Sequence, residues 1–317
     1  MGIMTNFILK NIFLIYIVFF SFFSNTQSIH AQSDAPHIAF SFDDGITGDV
    51  LNYSNDAWNS MIREHLAKYN IKAIWFVRSK GMDNPQGIGL VYKWEEAGHL
   101  IGNHTYNHRN LSSKNLFVDE YIEDIKKCND FLYQFKNYRK IFRYPYLKTG
   151  NTVAKRDSVR KFLLDNGFKQ GWVTIDASDW YINSRLIERL KQNLKADISG
   201  YRKYFVNHIF DRANYYNDLS LKINKRQIHH TLLLHLNLTS ALFLSDLIEK
   251  FKSEGWIIDD YEIAIKDLIY NELPIAMPSE QSLIWLQALE TGKYDKILRY
   301  PGEDGEYERE NMDKLGL

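Results

Sequence analysis

A single cysteine, Cys128, in 317 residues excludes an intrachain disulfide and any metal cluster built from cysteine. Net charge is missing as well. The 39 Lys and Arg balance 39 Asp and Glu, which argues against a broad nucleic-acid-binding surface. There is no run of about 20 apolar residues, the length a membrane-spanning helix needs. What is present is ordinary: 45% hydrophobic, 15% aromatic and 25% charged residues, a globular composition rather than a disordered or collagenous one.

The longest apolar stretch, residues 11–24, follows Lys10 and precedes small or polar residues, Ser28 and Ala31 among them. That order is a secretory leader pattern, so residues 1–32 read as a signal peptide and the chain as exported, periplasmic or secreted. Membrane contact arises only if that segment stays uncleaved.

From His37 onward, short apolar runs alternate with amphipathic segments. Strands are expected at 38–42, 71–77, from 100, from 141, at 168–175 and at 231–236. Helices are expected at 56–69, 91–97, 116–135, 153–166 and 241–254, with 185–230 mostly helical and basic. In the helix over 116–135, Phe117, Tyr121, Ile125, Cys128 and Leu132 share one face. Repeated strand–helix alternation favours a parallel α/β architecture, barrel or doubly wound. Residues 259–317 read as a mainly helical C-terminal extension whose acidic end (Glu303, Asp304, Glu306, Glu308, Glu310) is a solvated tail.

Five polar clusters stand at or just after the expected strand ends: Ser41 to Gly45 with two adjacent carboxylates, His104 to His108, Arg143 to Tyr146, Asp176 to Trp180, and Thr231 to His235. Each alone has a bland explanation, such as a solvated turn, a surface ion pair, a helix cap or a core histidine. In a parallel fold, however, all five converge on one face, where active sites of such folds sit. A helical turn would put His104 and His108 on one side, at a spacing that suits two nitrogens on one zinc. With Asp44 they supply three protein ligands and one open position, the pattern of a catalytic metal. His99 reads as a helix-end or surface histidine.

This ordered set resembles the polysaccharide deacetylase family, carbohydrate esterase family 4, over about residues 37–258. The resemblance implies a distorted (β/α) barrel with fewer than eight units, in a single catalytic domain over 33–258. It implies Asp44, His104 and His108 as metal ligands, Zn²⁺ first, with Co²⁺ and Ni²⁺ fitting similar ligands. Asp43 would be the general base, oriented by Arg143. His235 would be the acid, oriented by Asp179. The Tyr146 backbone N–H would help hold an oxyanion, and Trp180 and Leu233 would line a pocket for an acetyl methyl. The physical chemistry agrees: amide hydrolysis needs an activated water, carbonyl polarisation and a proton for the leaving nitrogen. The partner would be an acetylated glycan, such as peptidoglycan, a chitin-like oligomer or an exported polysaccharide, with no nucleic acid. O-acetyl esters of xylan-like glycans, non-peptide C–N bonds of small amides and a non-catalytic glycan-binding role are the competing readings. Leu147 stands where many family members have glycine, and His235 is followed by Leu236 rather than aspartate.

Overall fold

The computed structural model describes residues 35–299, 302 and 305–317; the leader-like segment and part of the acidic terminus, Glu303 and Asp304, lie outside them. Residues 34–317 form one compact unit. Its centre is a parallel sheet of β1 (His37–Asp44), β2 (Ile74–Val77), β3 (Leu100–Asn103), β4 (Tyr138–Phe142), β5 (Lys169–Gln170), β6 (His229–His235) and β7 (Ile257–Ile258). The order is β5-β4-β3-β2-β1-β6, and β7 pairs with β1. Every ladder is parallel. Strand β1 is buried from Ile38 to Asp43, which is why it reads as a nearly continuous apolar run instead of an alternating one.

The helices lie around the sheet: α1 (Asn55–Lys68), α2 (Pro85–Glu96), α3 (Val118–Leu132), α4 (Val153–Asp165), α5 (Asp179–Gln192), α6 (Ser199–Asn224) and α7 (Leu238–Ser253), followed by α8 (Tyr261–Ala264), α9 (Leu283–Thr291) and α10 (Glu306–Lys314). Their starts are chemically marked. Ser54, Asn84, Thr152 and Asn237 each accept a backbone N–H at the first turn of α1, α2, α4 and α7. Helix α2 begins six residues earlier than the apolar pattern suggests, because Asn84 caps it and Pro85 fills its first position. In α3 the expected apolar face holds from Tyr121 to Leu132, but Phe117 is exposed at the helix start.

The expected strand over 168–175 is split. Lys169 and Gln170 pair with β4, and Gly171 N–H donates to Phe142. The chain then crosses over: Thr174 and Ile175 donate to Thr231, and Leu233 donates back to Ile175. One segment thus touches both edges of the sheet and closes it into a distorted barrel with fewer than eight strands, the architecture the sequence implied. Two glycines make that closure fit. A Cβ on Gly102 or Gly171 would stand 2.6 Å from the Phe76 ring, which fills the barrel interior.

The C-terminal segment is packed into the same unit. Leu283 N–H donates to Val173 O at 2.7 Å, Trp172 Nε1 donates to Glu272 O, and Thr149 pairs with Ser279. The acidic end is not wholly solvated, in contrast to its sequence reading: Glu308 on α10 has no exposed surface. Its carboxylate accepts from Tyr204 Oη at 2.7 Å, 3.3 Å from His208 Nδ1 and 3.7 Å from Arg212.

Candidate active site

All five clusters meet at the C-terminal ends of the strands. A cavity of about 460 Å³ is lined by Asp43, Asp44, His104, His108, Tyr146, Leu147, Trp180, Leu233 and His235. Adjacent carboxylates on a regular strand would point to opposite faces. Here Asp44 takes a left-handed backbone, φ 72°, and both Asp43 and Asp44 line the cavity. Gly45 follows with φ 142°, where a Cβ would collide with Trp75 at 2.6 Å. Thr105, His108, Tyr146 and Leu147 also have φ between 53° and 63°. Non-glycine residues there are strained, and the surrounding structure must hold them in place.

His104 and His108 do not share a helix. They lie on the loop after β3, and two left-handed residues rather than a helical turn bring their rings to 5.0 Å between centroids. The loop is pinned by residues that the sequence reading missed. Asn103 donates to Ile125 O and accepts from Thr105 N–H, while Thr105 Oγ1 accepts from His108 N–H. Asp124 on α3 accepts from the Asn107 backbone and side chain. An Asx-type turn after a strand is the only trace of this in the sequence.

His108 Nε2 is 3.1 Å and His104 Nε2 3.8 Å from Asp44 Oδ1, and the three ligand atoms all lie within 4.8 Å of one another. His104 Nδ1 donates to the Arg143 carbonyl at 2.9 Å, which fixes the tautomer and leaves Nε2 with a lone pair facing the carboxylates. Asp44 Oδ1 is buried without a hydrogen-bond donor. Two imidazoles and one orphaned carboxylate oxygen fit a divalent cation of the zinc class. Burial pushes both imidazoles down to about 4, and for His108 the charge of His104 adds to it, so both are neutral. Burial opposes ionisation of Asp44, but in the acid range where these imidazoles are themselves protonated the charges of His108, His235 and His104 outweigh it and hold the carboxyl below its usual range. The donor set is therefore deprotonated at neutral pH.

Asp43 is buried against Arg143, with Nη1 at 2.6 Å from Oδ1. The same guanidinium donates to Ser41 Oγ and to Gly171 O and stacks 3.9 Å over the Phe76 ring. Burial raises Asp43 to about 6 against the pull of Arg143 and His235. On the other side, His235 Nδ1 donates to Asp179 Oδ1 at 2.7 Å, and Asp179 Oδ2 accepts from His235 N–H and Asn237. Burial alone would lower His235, but the Asp179 charge and hydrogen bond overcome it and hold the imidazole at about 10.

The apolar wall is Leu147 and Leu233, which pack with Val173 in a small cluster of their own. Trp180 borders it, and its Nε1 donates to Gly302 O at 3.0 Å. His99, read as a helix-end or surface residue, does close the end of α2, its N–H donating to Trp94 O at 3.1 Å, but its side chain is buried against Trp94 and Ala73.

The fold and pocket define a parallel α/β barrel protein with a two-histidine, one-aspartate centre at the strand ends. The model of the polysaccharide deacetylase family matches residues 30–163. It is 29% identical over 144 residues to a peptidoglycan-N-acetylglucosamine deacetylase of Bacillus cereus, covering 45% of this chain and 46% of that one. The chain thus aligns with about half the length of that curated relative. A chitin deacetylase from the fungal pathogen Colletotrichum lindemuthianum has the same fold, with 18% identity and TM-score 0.51 over 73% of this chain and 88% of the other. A peptidoglycan deacetylase from Bacillus subtilis aligns with 21% identity and TM-score 0.48, over 74% and 91% of the two chains.

Proposed function

We propose that the protein is an exported, metal-dependent hydrolase that removes acetyl groups from the N-acetylated sugars of a glycan. The convergence of the Asp44–His104–His108 donor set, the Arg143–Asp43 pair and the Asp179–His235 pair on one cavity carries this reading. The match of residues 30–163 to the polysaccharide deacetylase family model supports it. Export rests on the leader-like residues 1–32, and among the described residues no helix is long and apolar enough to cross a membrane. We place the catalytic domain at 33–258, with 259–317 as its C-terminal extension.

Asp44, His104 and His108 would hold the cation, Zn²⁺ first. When bound, it supplies Lewis acidity, lowering the pKa of a water and polarising the acetyl carbonyl. Asp43 accepts the proton of the attacking water. A carboxyl at about 6 is ionised at neutral pH yet basic enough to take a proton, the balance a general base needs. Arg143 fixes that carboxylate through a buried ion pair and cannot turn without losing its bonds to Ser41 and Gly171. His235, held protonated by Asp179, gives its proton to the leaving nitrogen. The Tyr146 backbone N–H assists the oxyanion. Leu233, Trp180 and Leu147 enclose the acetyl methyl, with the indole N–H already used by Gly302. An ionised Asp43 and a protonated His235, each held by its own partner at neutral pH, let one pocket run base and acid chemistry together.

The test is acetate release by metal-stripped and zinc-restored protein from N-acetylglucosamine oligomers, peptidoglycan and O-acetylated xylan. Zinc-dependent release from an N-acetylated substrate, absent in Asp44→Ala, is expected. Release from xylan alone would move the enzyme to esters. Full activity in Asp43→Asn with unchanged metal content would overturn the base assignment.

A further inference from the structure

Among the described residues a second group, His37, His229 and Asp259, places three ligand atoms within 4.8 Å of one another. It lies at the other end of the sheet. His37 opens β1 and His229 opens β6, whereas the pocket sits at the last residues of both strands. Six steps along the strand from His37 to Asp43 put the two groups about 20 Å apart. This cluster has no part in the chemistry proposed above.

Strand register builds it. His37 is paired with His229 across the parallel β1–β6 ladder and with Ile257 across the β1–β7 ladder. Paired residues of neighbouring strands present their side chains on the same face, and the two rings are 4.3 Å apart. Asp259 follows β7 directly, held there by its N–H donating to Ile38 O at 2.8 Å. His229 is fixed at both backbone atoms: its N–H donates to Asp267 at 3.0 Å, and its carbonyl accepts from Tyr270 Oη at 2.6 Å. Three elements far apart in sequence thus deliver their side chains from rigid backbone.

The atoms converge in an unusual way. Nδ1 of His37 and Nδ1 of His229 lie 3.0 and 2.5 Å from one and the same oxygen, Asp259 Oδ2. All three side chains are partly accessible, at 14%, 23% and 10% exposure. Water can therefore complete a coordination shell. In a tetrahedral shell with bonds of about 2.0–2.2 Å, ligand atoms stand roughly 3.3 Å apart. Side-chain rotations that open this cluster by less than about 1 Å would reach that spacing.

We propose that His37, His229 and Asp259 bind a second divalent cation of the zinc class, which clips the start of β1 to β6 and to the segment after β7. Two imidazoles and a carboxylate suit Zn²⁺, with Ni²⁺ and Cu²⁺ as chemical competitors. The clip joins residues 222 positions apart, His37 and Asp259, at the end of the barrel opposite the proposed substrate pocket. Its role is structural.

The competing arrangement is a hydrogen-bonded trio in which both Nδ1–H groups donate to Asp259. The two arrangements require opposite tautomers, Nδ1–H in the trio and Nε2–H with a cation bound. The experiment uses tag-free full chain stripped of metal and titrated with Zn²⁺ alone, read by competition with a chromophoric chelator and by elemental analysis. Two equivalents per chain are expected, falling to one in His37→Gln and in His229→Gln. An Asp44→Asn/His108→Gln chain should keep one equivalent and lose it when His229→Gln is added. Loss of a direct ligand should weaken that equivalent by at least the roughly 10–100-fold that outer-shell changes cost. Long-range ¹H–¹⁵N spectra of the unsubstituted chain provide a readout independent of variant folding, and Zn²⁺ should move the His37 and His229 proton from Nδ1 to Nε2. One equivalent in the unsubstituted chain, unchanged by His229→Gln, would overturn the proposal, as would retention of Nδ1–H on both rings at saturating Zn²⁺.

Discussion

The Asp179–His235 pair allows the acid assignment to be tested by pH alone. Asp179 has no exposed surface and spends its carboxylate on three donors: His235 Nδ1, His235 N–H and Asn237 Nδ2, at 2.7, 2.8 and 3.0 Å. Asp179→Asn keeps the shape and removes the charge. An amide presenting its NH₂ to Nδ1 also forces the imidazole into the neutral Nε2–H form, which is too weak an acid to protonate a leaving nitrogen. With Asp179 present, His235 titrates at about 10. A cation at Asp44 cancels the smaller help that His235 draws from Asp44 and Asp43, and trims that value without changing its direction while Asp179 remains.

The size of the effect follows from populations. Burial opposes the charged imidazole, so without Asp179 its pKa falls to the ordinary value of about 6.5 or below. At pH 8 at most about 3% of His235 is then protonated, against about three quarters at pH 6, a roughly 25-fold difference from protonation alone. A His acid must be protonated to act, so the defect grows as pH rises. The assay is kcat/KM for acetate release between pH 5.5 and 9.5 at fixed zinc. The ratio of parent to Asp179→Asn should climb by at least about tenfold from pH 6 to pH 8, on top of a pH-independent geometric loss. A flat ratio, or an alkaline limb at the same pH in both proteins, would refute the assignment of His235 as the acid held by Asp179.

Arg143→Met should cost about 3–5 kcal/mol in urea unfolding, because it strands the buried Asp43 carboxylate. It should also move the acid limb of the activity profile to higher pH, since Arg143 is the main charge opposing the rise of Asp43. Gly171→Ala puts a methyl 2.6 Å from Phe76 and should cost about 1–3 kcal/mol by thermal or urea unfolding. Glu308→Ala leaves Arg212 and His208 without the carboxylate buried between them and should cost about 3–5 kcal/mol, with Glu308→Gln milder because it still accepts from Tyr204. Zinc at 100 times its dissociation constant should stabilise the metal-free chain by about 2.7 kcal/mol per site, and Asp44→Asn should lose the share of the pocket site.

Much of this site was legible because its residues fall at strand ends, where a polar group after an apolar run leaves a clear signal. Asp43, Asp44, Arg143 and His235 all stand out that way, and parallel pairing puts them on one face. The route by which His104 and His108 meet was not legible. Their spacing suits a helical turn, while the actual loop depends on left-handed Thr105 and His108 and on Asp124, which arrives from a helix about 20 positions later. Local spacing carries no information about that anchor. The second half of the expected strand over 168–175 failed for a similar reason. Its residues are apolar enough for a strand, but barrel closure makes them leave one partner for another midway. Glu308 was misread because an acidic run looks solvated, and only the basic residues of α6 facing it reveal a buried ion pair.

That ion pair bears on how the pocket is held. His208 Nε2 accepts from the Ser178 backbone N–H, one residue before Asp179, and Glu308 lies against both His208 and Ser178. Gly302 approaches Asp176 so closely that a Cβ would stand 2.4 Å from its carboxylate, while its carbonyl receives the Trp180 indole N–H. The stretch 176–180, which leads into α5 and carries the carboxylate proposed to orient the acid, is therefore braced from behind by the C-terminal segment. Loops positioned by their own flanking strand alone would not need such bracing. This one follows the segment that switches ladders, and it has no continuous strand to fix its angle. Residues beyond the matched family region thus set the geometry of a residue proposed to act in catalysis, and removing α10 should lower kcat for acetate release more than it changes metal content.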